Sequence, residues 1–349
     1  MLAAVYHGPE DIRVEEVAIP GIEPGELLVR VEAASICGTD LRILHGAHRK
    51  YPSGTVRIPG HEVAGTVVET GQGVTGYQAG TRVFVAPNWG CGHCRQCVSG
   101  NNNLCANYGA IGITQDGAFA DYLCVPASAV RQGNVVPLST DVDAAQAAQI
   151  EPLACVLRGQ DALHIQPGET ALVMGAGPIG ILHIKLARLR GAGRILVSEP
   201  AVDRLERTLL MGADAGVNPL EQDLVAFIQH ETAGAGASVV IVAAPSHAAQ
   251  EAALQSAAIG GRINFFGGLP KDRPLIQFDS NLVHYKELVV TGTTACSTAD
   301  CRRAVEIVNS GRLDLSDLIS QRFPLSQAGA AFVAAEDRRS LKIIFEPRG

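Results

Sequence analysis

Residues 171–180 read Ala171-Leu172-Val173-Met174-Gly175-Ala176-Gly177-Pro178-Ile179-Gly180. Four apolar residues in a row suit a parallel strand buried on both faces. A Gly-x-Gly-x-x-Gly turn follows at once, and a helix-like stretch then runs to about Arg190. A second apolar run, Ile195-Leu196-Val197-Ser198, ends at Glu199, nineteen residues after Gly180. This is the context in which such a turn binds a dinucleotide. Gly175 makes the tight turn, Gly177 admits the pyrophosphate and Gly180 lets helix and strand pack closely. Pro178 and Ile179 open the helix, whose N–H groups and positive dipole end face the phosphates. Glu199 accepts hydrogen bonds from the adenosine ribose hydroxyls. Its charge repels a 2′-phosphate, which favours NAD over NADP. Arg204, just beyond, is placed to soften that preference. The bland alternative is a glycine turn closing an ordinary βαβ unit, and the flanking strand, helix and acid weigh against it.

Working outward, the same rhythm continues. Ser238–Ala243 and Arg262–Phe266 are further apolar runs, and Lys286–Gly292 reads as a late strand. Strands alternating with helices predict an α/β domain with a doubly wound parallel sheet over 151–292. The first 150 residues read differently. Short runs such as Leu27–Val31 and Ala64–Val68 are separated by Gly and Pro turns, which predicts a mostly-β domain. The stretch 145–160 is Ala-rich and helical. After about 290 the pattern is mixed again and ends in Leu341-Lys342-Ile343-Ile344-Phe345.

Composition bounds the function. A chain of 349 residues implies about two domains. It is 47% hydrophobic and 18% charged, which excludes a disordered chain. A net charge of −7 argues against nucleic acid as a partner. No apolar run reaches the roughly 18 residues of a membrane span, and the N-terminus carries no secretory signal. A soluble, cytoplasmic protein with no membrane partner is expected.

Four of the nine cysteines, Cys91, Cys94, Cys97 and Cys105, stand at C-x2-C-x2-C-x7-C among Gly90, Gly92 and Gly100. Four thiolates fill a tetrahedral zinc with no open position, so this lobe, about 88–108, is read as structural. Iron–sulfur is the rival, but its usual spacings differ. Trp89 and Asn103 nearby suggest no role.

Cys37, His61, Glu62 and Glu151 stand apart from that cluster. Thiolate, imidazole and carboxylate together suit a catalytic zinc with one position left for substrate. Cys124, Cys155, Cys296 and Cys301 read as small buried hydrophobes.

Gly60-His61-Glu62-x2-Gly65-x5-Gly71-x2-Val74, with Cys37-Gly38-Thr39-Asp40, the four-Cys lobe and the glycine turn in order, resembles the zinc-containing medium-chain dehydrogenases over the whole chain. Glu151-Pro152-Leu153 resembles their polyol branch, the sorbitol, threonine and galactitol-phosphate dehydrogenases. The resemblance implies a GroES-like catalytic domain (1–150 and 293–349) beside a Rossmann domain (151–292). It implies a catalytic zinc on Cys37, His61 and either Glu62 or Glu151, and a second, structural zinc. It implies reversible oxidation of a secondary alcohol of a polyol or sugar-like substrate with NAD(P), in a homodimer or homotetramer. A threonine-type or sugar-phosphate dehydrogenase is the alternative within the branch. Outside it stands a non-catalytic dinucleotide-binding protein; a zinc-free reductase of the superfamily would lack the Cys37 and His61 pair. Thr39 matches the hydroxyl of the family's proton relay. Relatives often carry His five residues after the Cys ligand, where this chain has Arg42. His45 and His48 are the candidates to replace it. Arg42 itself is expected to pair with Asp40 or Glu62, or else to meet an anionic substrate.

Overall fold

The computed structural model describes residues 1–337 and 339–347. The chain divides into two units, Met1–Ala154 with Cys296–Gly349, and Cys155–Ala295.

The second unit is built on six parallel strands. In space they run Ala215–Val217, Arg194–Ser198, Thr170–Met174, Ala237–Val242, Ala257–Phe265 and Val289–Gly292. Numbered along the chain this is 3-2-1-4-5-6, the doubly wound order. Ala171, Leu172 and Val173 are fully buried and Met174 nearly so, as a central strand requires. Thr170–Met174 pairs residue for residue with Arg194–Ser198. The fifth strand begins earlier than its apolar run, because Ala257 to Gly261 join through a register shift after Ala237. The last strand is shorter than the apolar run suggests. Lys286 caps the helix Ser280–Tyr285, and Glu287 takes a positive φ of 50°. Val289–Gly292 forms the edge of this sheet among the described residues.

The first unit is centred on Leu27–Ser35. That strand pairs antiparallel with Glu62–Thr70, with Tyr122–Val125 and with Lys342–Phe345. Arg82–Val85, Val135–Pro137 and Ile319–Phe323 complete seven strands. The C-terminal segment thus returns to the first half of the chain through main-chain hydrogen bonds. Phe119 lies edge-on to Phe345 at 4.9 Å and to Phe332 at 5.9 Å, closing the core beneath the sheet. Truncating such a ring costs about 3–5 kcal/mol. The Ala-rich stretch forms two helices, Ala144–Ala147 and Ile150–Asp161. Asp143 starts the first by accepting the amides of Ala145 and Gln146. No helix among the described residues is long and apolar enough to cross a membrane.

Candidate active site

Cys37 precedes the helix Gly38–Leu44, and Asp40 lies in its first turn. The Asp40 Oδ2 accepts the Cys37 backbone N–H at 2.9 Å. Glu62 begins the neighbouring strand Glu62–Thr70, with His61 just before it, and pairs across from Ser35. This register carries all three side chains to one point: ligand atoms of Cys37, His61 and Glu62 lie within 4.8 Å of one another. His61 is 6% exposed and Glu62 not at all.

Asp40 Oδ1 stands 3.4 Å from His61 Nδ1. Burial pulls the imidazole down, but the Asp40 carboxylate and the Cys37 sulfur outweigh it and leave His61 well above its ordinary pKa. Such a field favours positive charge beside the ring. Glu62 Oε1 is buried with no hydrogen-bond partner among the described residues. A buried bare carboxylate oxygen next to a thiol and an imidazole fits a divalent cation, with Asp40 as the outer carboxylate that orients the histidine.

Lys342, which belongs to no motif, also enters this site. Its Nζ donates to Glu62 Oε2 at 2.5 Å and to the Ile36 carbonyl at 3.3 Å. Burial lowers its pKa, while Glu62 and Cys37 raise it more, so the ammonium stays charged. Only its place at the start of an apolar strand marks it, since a lysine inside such a strand needs a partner.

Glu151 stands outside the trio. It is 7% exposed, on the helix Ile150–Asp161. Its Oε1 lies 3.6 Å from the Cys296 thiol, which lies 3.5 Å from Cys301. Cys296 and Cys301 flank the Ser297 cap of the helix Thr298–Asn309 at the two positions of a hydrophobic staple. Both are buried, whereas Cys124 and Cys155 are only partly so.

The relay expectation needs correcting at two residues. His45 is half exposed, with Nδ1 on Glu10 at 2.5 Å and Nε2 on Glu336 at 2.8 Å. The Glu10 hydrogen bond raises its pKa. With both nitrogens engaged, His45 is a surface ion-pair residue. Arg42 bonds neither Asp40 nor Glu62; it donates to Thr39 Oγ1 at 2.8 Å. His48 is half-buried and edge-on to Tyr51. Burial, aided by the charges of Arg42 and His61, pushes it down to about 4. Its Nδ1 accepts the Lys50 N–H at 3.3 Å, so Nε2 carries the proton of the neutral ring.

The four-cysteine lobe is assembled as its spacing requires. Sulfur–sulfur distances are 3.5 Å (Cys94–Cys97), 3.8 Å (Cys94–Cys105) and 3.9 Å (Cys91–Cys97). Four sulfurs at about 2.3 Å from a tetrahedral zinc stand about 3.8 Å apart. The amides of His93 and Cys94 hold the Cys91 thiol down at about 6. Asn102, missed in the sequence, ties the lobe down: it donates to the Asn88 carbonyl and Thr298 Oγ1, and accepts the Thr298 N–H. Trp89 lies against Gly109, where any Cβ would overlap the indole.

In the second unit Gly175 has a φ of 109°, and a Cβ on Gly180 would collide with the Gly175 carbonyl. Gly177 caps the helix Pro178–Leu189 with Pro178 in its first turn. A Cβ on Gly177 would meet nothing within 4 Å, so its missing side chain leaves open space before the turn. Glu199 is 6% exposed. It accepts the Ala176 N–H at 2.7 Å and the Ala201 N–H at 3.0 Å, which fixes the acid beside the turn. Arg204 lies on the following helix, Val202–Leu210. Turn, helix N-terminus and acid fit a dinucleotide. A cavity of about 490 Å³ elsewhere in the first unit, beside Val5, Glu15 and Tyr122, includes none of the candidate residues.

Residues 23–137 match the alcohol dehydrogenase GroES-like domain, and residues 178–310 match the zinc-binding dehydrogenase family. The chain is 35% identical to an L-threonine 3-dehydrogenase of Thermococcus kodakarensis, covering 95% of this chain and 93% of that protein. It is 34% identical to an erythritol/L-threitol dehydrogenase of Mycolicibacterium smegmatis, covering 99% and 98%. A zinc-binding dehydrogenase of Sinorhizobium meliloti, solved with NADP bound, superposes with a TM-score of 0.91 at 34% identity over 99% of both chains.

Proposed function

The chain belongs to the zinc-binding medium-chain dehydrogenases, in their polyol branch, and from that premise we propose that it reversibly oxidises a secondary alcohol of a polyol or sugar-like substrate to the ketone with NAD(P). The observation that carries this reading is the convergence of Cys37, His61 and Glu62 in one buried cluster. These three would hold the catalytic zinc. Glu151, grouped with Cys296, is the reserve carboxylate. Cys91, Cys94, Cys97 and Cys105 would hold the structural zinc.

When bound, zinc supplies a Lewis acid that makes the substrate hydroxyl more acidic, and the nicotinamide supplies the hydride acceptor. The chain's own residues do the rest. Asp40 sets its carboxylate 3.4 Å from His61 Nδ1, a charge that would support the ring as a metal ligand. Thr39 Oγ1 accepts from Arg42 and keeps a second lone pair that would accept the substrate hydroxyl. Arg42 holds that hydroxyl in place by donating to its oxygen. His48 stays neutral at pH 7 and presents Nε2–H as a donor, which suits a hydroxylated substrate. Glu199, held by two amides, receives the ribose hydroxyls and sets a preference for NAD.

The edge strand Val289–Gly292 supports pairing with its copy in a homodimer or homotetramer. Four cysteines at metal-ligand spacing, with the other five scattered, support a reducing compartment, the cytoplasm. Threonine is the second reading, carried by the threonine dehydrogenase relatives. The test is reduction of NAD and NADP by the zinc-loaded protein with tetritols, pentitols, hexitols, aldonates, sugar phosphates, threonine and butanediol. Turnover on polyols that vanishes in Cys37→Ala supports the proposal. Turnover on threonine alone selects the second reading. Cofactor binding with no turnover on any substrate rejects both.

A further inference from the structure

Glu62 and Lys342 come together through strand register. Lys342–Phe345 pairs with Leu27–Ser35 through Ile344 and Ser35, and Ser35 pairs across to Glu62. The lysine is 4% exposed and the glutamate wholly buried. The two Glu62 oxygens differ sharply. Oε2 takes the Lys342 ammonium at 2.5 Å, while Oε1 has no hydrogen-bond partner among the described residues. Lys342 is itself fixed from the other side by the Ile36 carbonyl, one residue before Cys37.

We propose that Lys342 is the positioning residue of the catalytic metal site: by holding Glu62 Oε2 it turns Oε1 toward a divalent cation bound by Cys37 and His61, and makes Glu62 a one-oxygen ligand. This rests on the functional reading above. A lysine suits the task because its ammonium is a point charge that occupies one oxygen. An arginine fork would reach for both oxygens and compete with the metal. Without the lysine, the carboxylate is free to rotate or to bind through both oxygens, which alters the geometry the other two ligands impose.

The experiment is metal exchange on the full-length protein loaded with zinc, and the visible spectrum of the cobalt(II)-substituted protein, with Cys37→Ala as the blank for the four-cysteine lobe. In Lys342→Met, loss of active-site zinc to a chelator is expected to accelerate by about 10–100-fold, with shifted cobalt bands. In Lys342→Arg the charge is kept, but exchange is expected to resemble Lys342→Met. Added to Glu62→Gln, Lys342→Met is expected to change exchange by less than about twofold, since the lysine acts through Glu62. That double variant leaves no unpaired charge behind and guards against failure to fold. Wild-type exchange and spectrum in Lys342→Met, wild-type exchange in Lys342→Arg, or an undiminished effect in the Glu62→Gln background would each overturn the proposal. If Cys37→Ala releases no metal relative to the wild type, the functional reading itself fails, whatever Lys342 does.

Discussion

Asp40 Oδ1 stands 3.4 Å from His61 Nδ1, while Oδ2 of the same carboxylate accepts the Cys37 main-chain N–H. One buried carboxylate therefore holds the backbone of one candidate zinc ligand and places its charge against the ring of another. Asp40→Asn keeps the shape and an acceptor for the Cys37 amide, but removes the charge that favours a cation at the ring. Zinc affinity at this site should fall about 10–100-fold, measured by chelator competition. Affinity within twofold of the wild type would show that Asp40 is a helix cap and nothing more.

The four-cysteine lobe should be separable from the chemistry. Cys97 is one of the four clustered sulfurs, 3.5 Å from Cys94 and 3.9 Å from Cys91. Cys97→Ser should lose one of two zinc equivalents by elemental analysis and lower the thermal midpoint, because metal binding here stabilises only the folded chain. The zinc that remains should still be released by a Cys37→Ala change. Retention of both equivalents in Cys97→Ser would reject a metal in the lobe.

The legible parts of the sequence were those where local pattern and chemistry coincide. The run 171–174 with its glycine turn announces the buried strand and the helix after it, since both needs are met within ten residues. The lobe is equally local, four thiols within fifteen residues. Lys342 was invisible for the opposite reason. Its partner Glu62 is 280 residues away, and only the pairing of three strands brings them together. His45 misled because a histidine near the expected relay position looks available. Glu10 and Glu336, remote in sequence, occupy both its nitrogens. Which of Glu62 and Glu151 stands beside Cys37 and His61 likewise depends on side-chain directions that spacing does not encode.

Cofactor preference turns on Glu199. Its oxygens hold the amides of Ala176 and Ala201, so deletion would loosen the turn as well as remove charge. Glu199→Gln keeps one of the two amide bonds and removes the charge that repels a 2′-phosphate. The ratio of kcat/KM for NAD over NADP should fall about tenfold. An unchanged ratio, with Arg204 in place, would locate the discrimination elsewhere.

His183 predicts how stability responds to acid. It is fully buried on the helix Pro178–Leu189, edge-on to Phe266 at 4.8 Å, with Gln160 beside its Nδ1 at 3.3 Å. Burial pushes its pKa down to about 3. The folded state therefore keeps the ring neutral where the unfolded chain, with a pKa of about 6.5, takes up a proton. The folded pKa is depressed, so for this base the stabilising difference is fully present above pH 6.5 and is lost as pH falls from 6.5 toward 3. Between pH 7.5 and pH 5 the loss from this residue is about 2 kcal/mol. His183→Leu fills similar space and binds no proton. Its unfolding free energy, from urea titrations followed by circular dichroism, should be lower than wild type at pH 7.5. It should fall by about 2 kcal/mol less on going to pH 5. Parallel pH profiles for the two proteins would mean that His183 is protonated as readily in the fold as outside it.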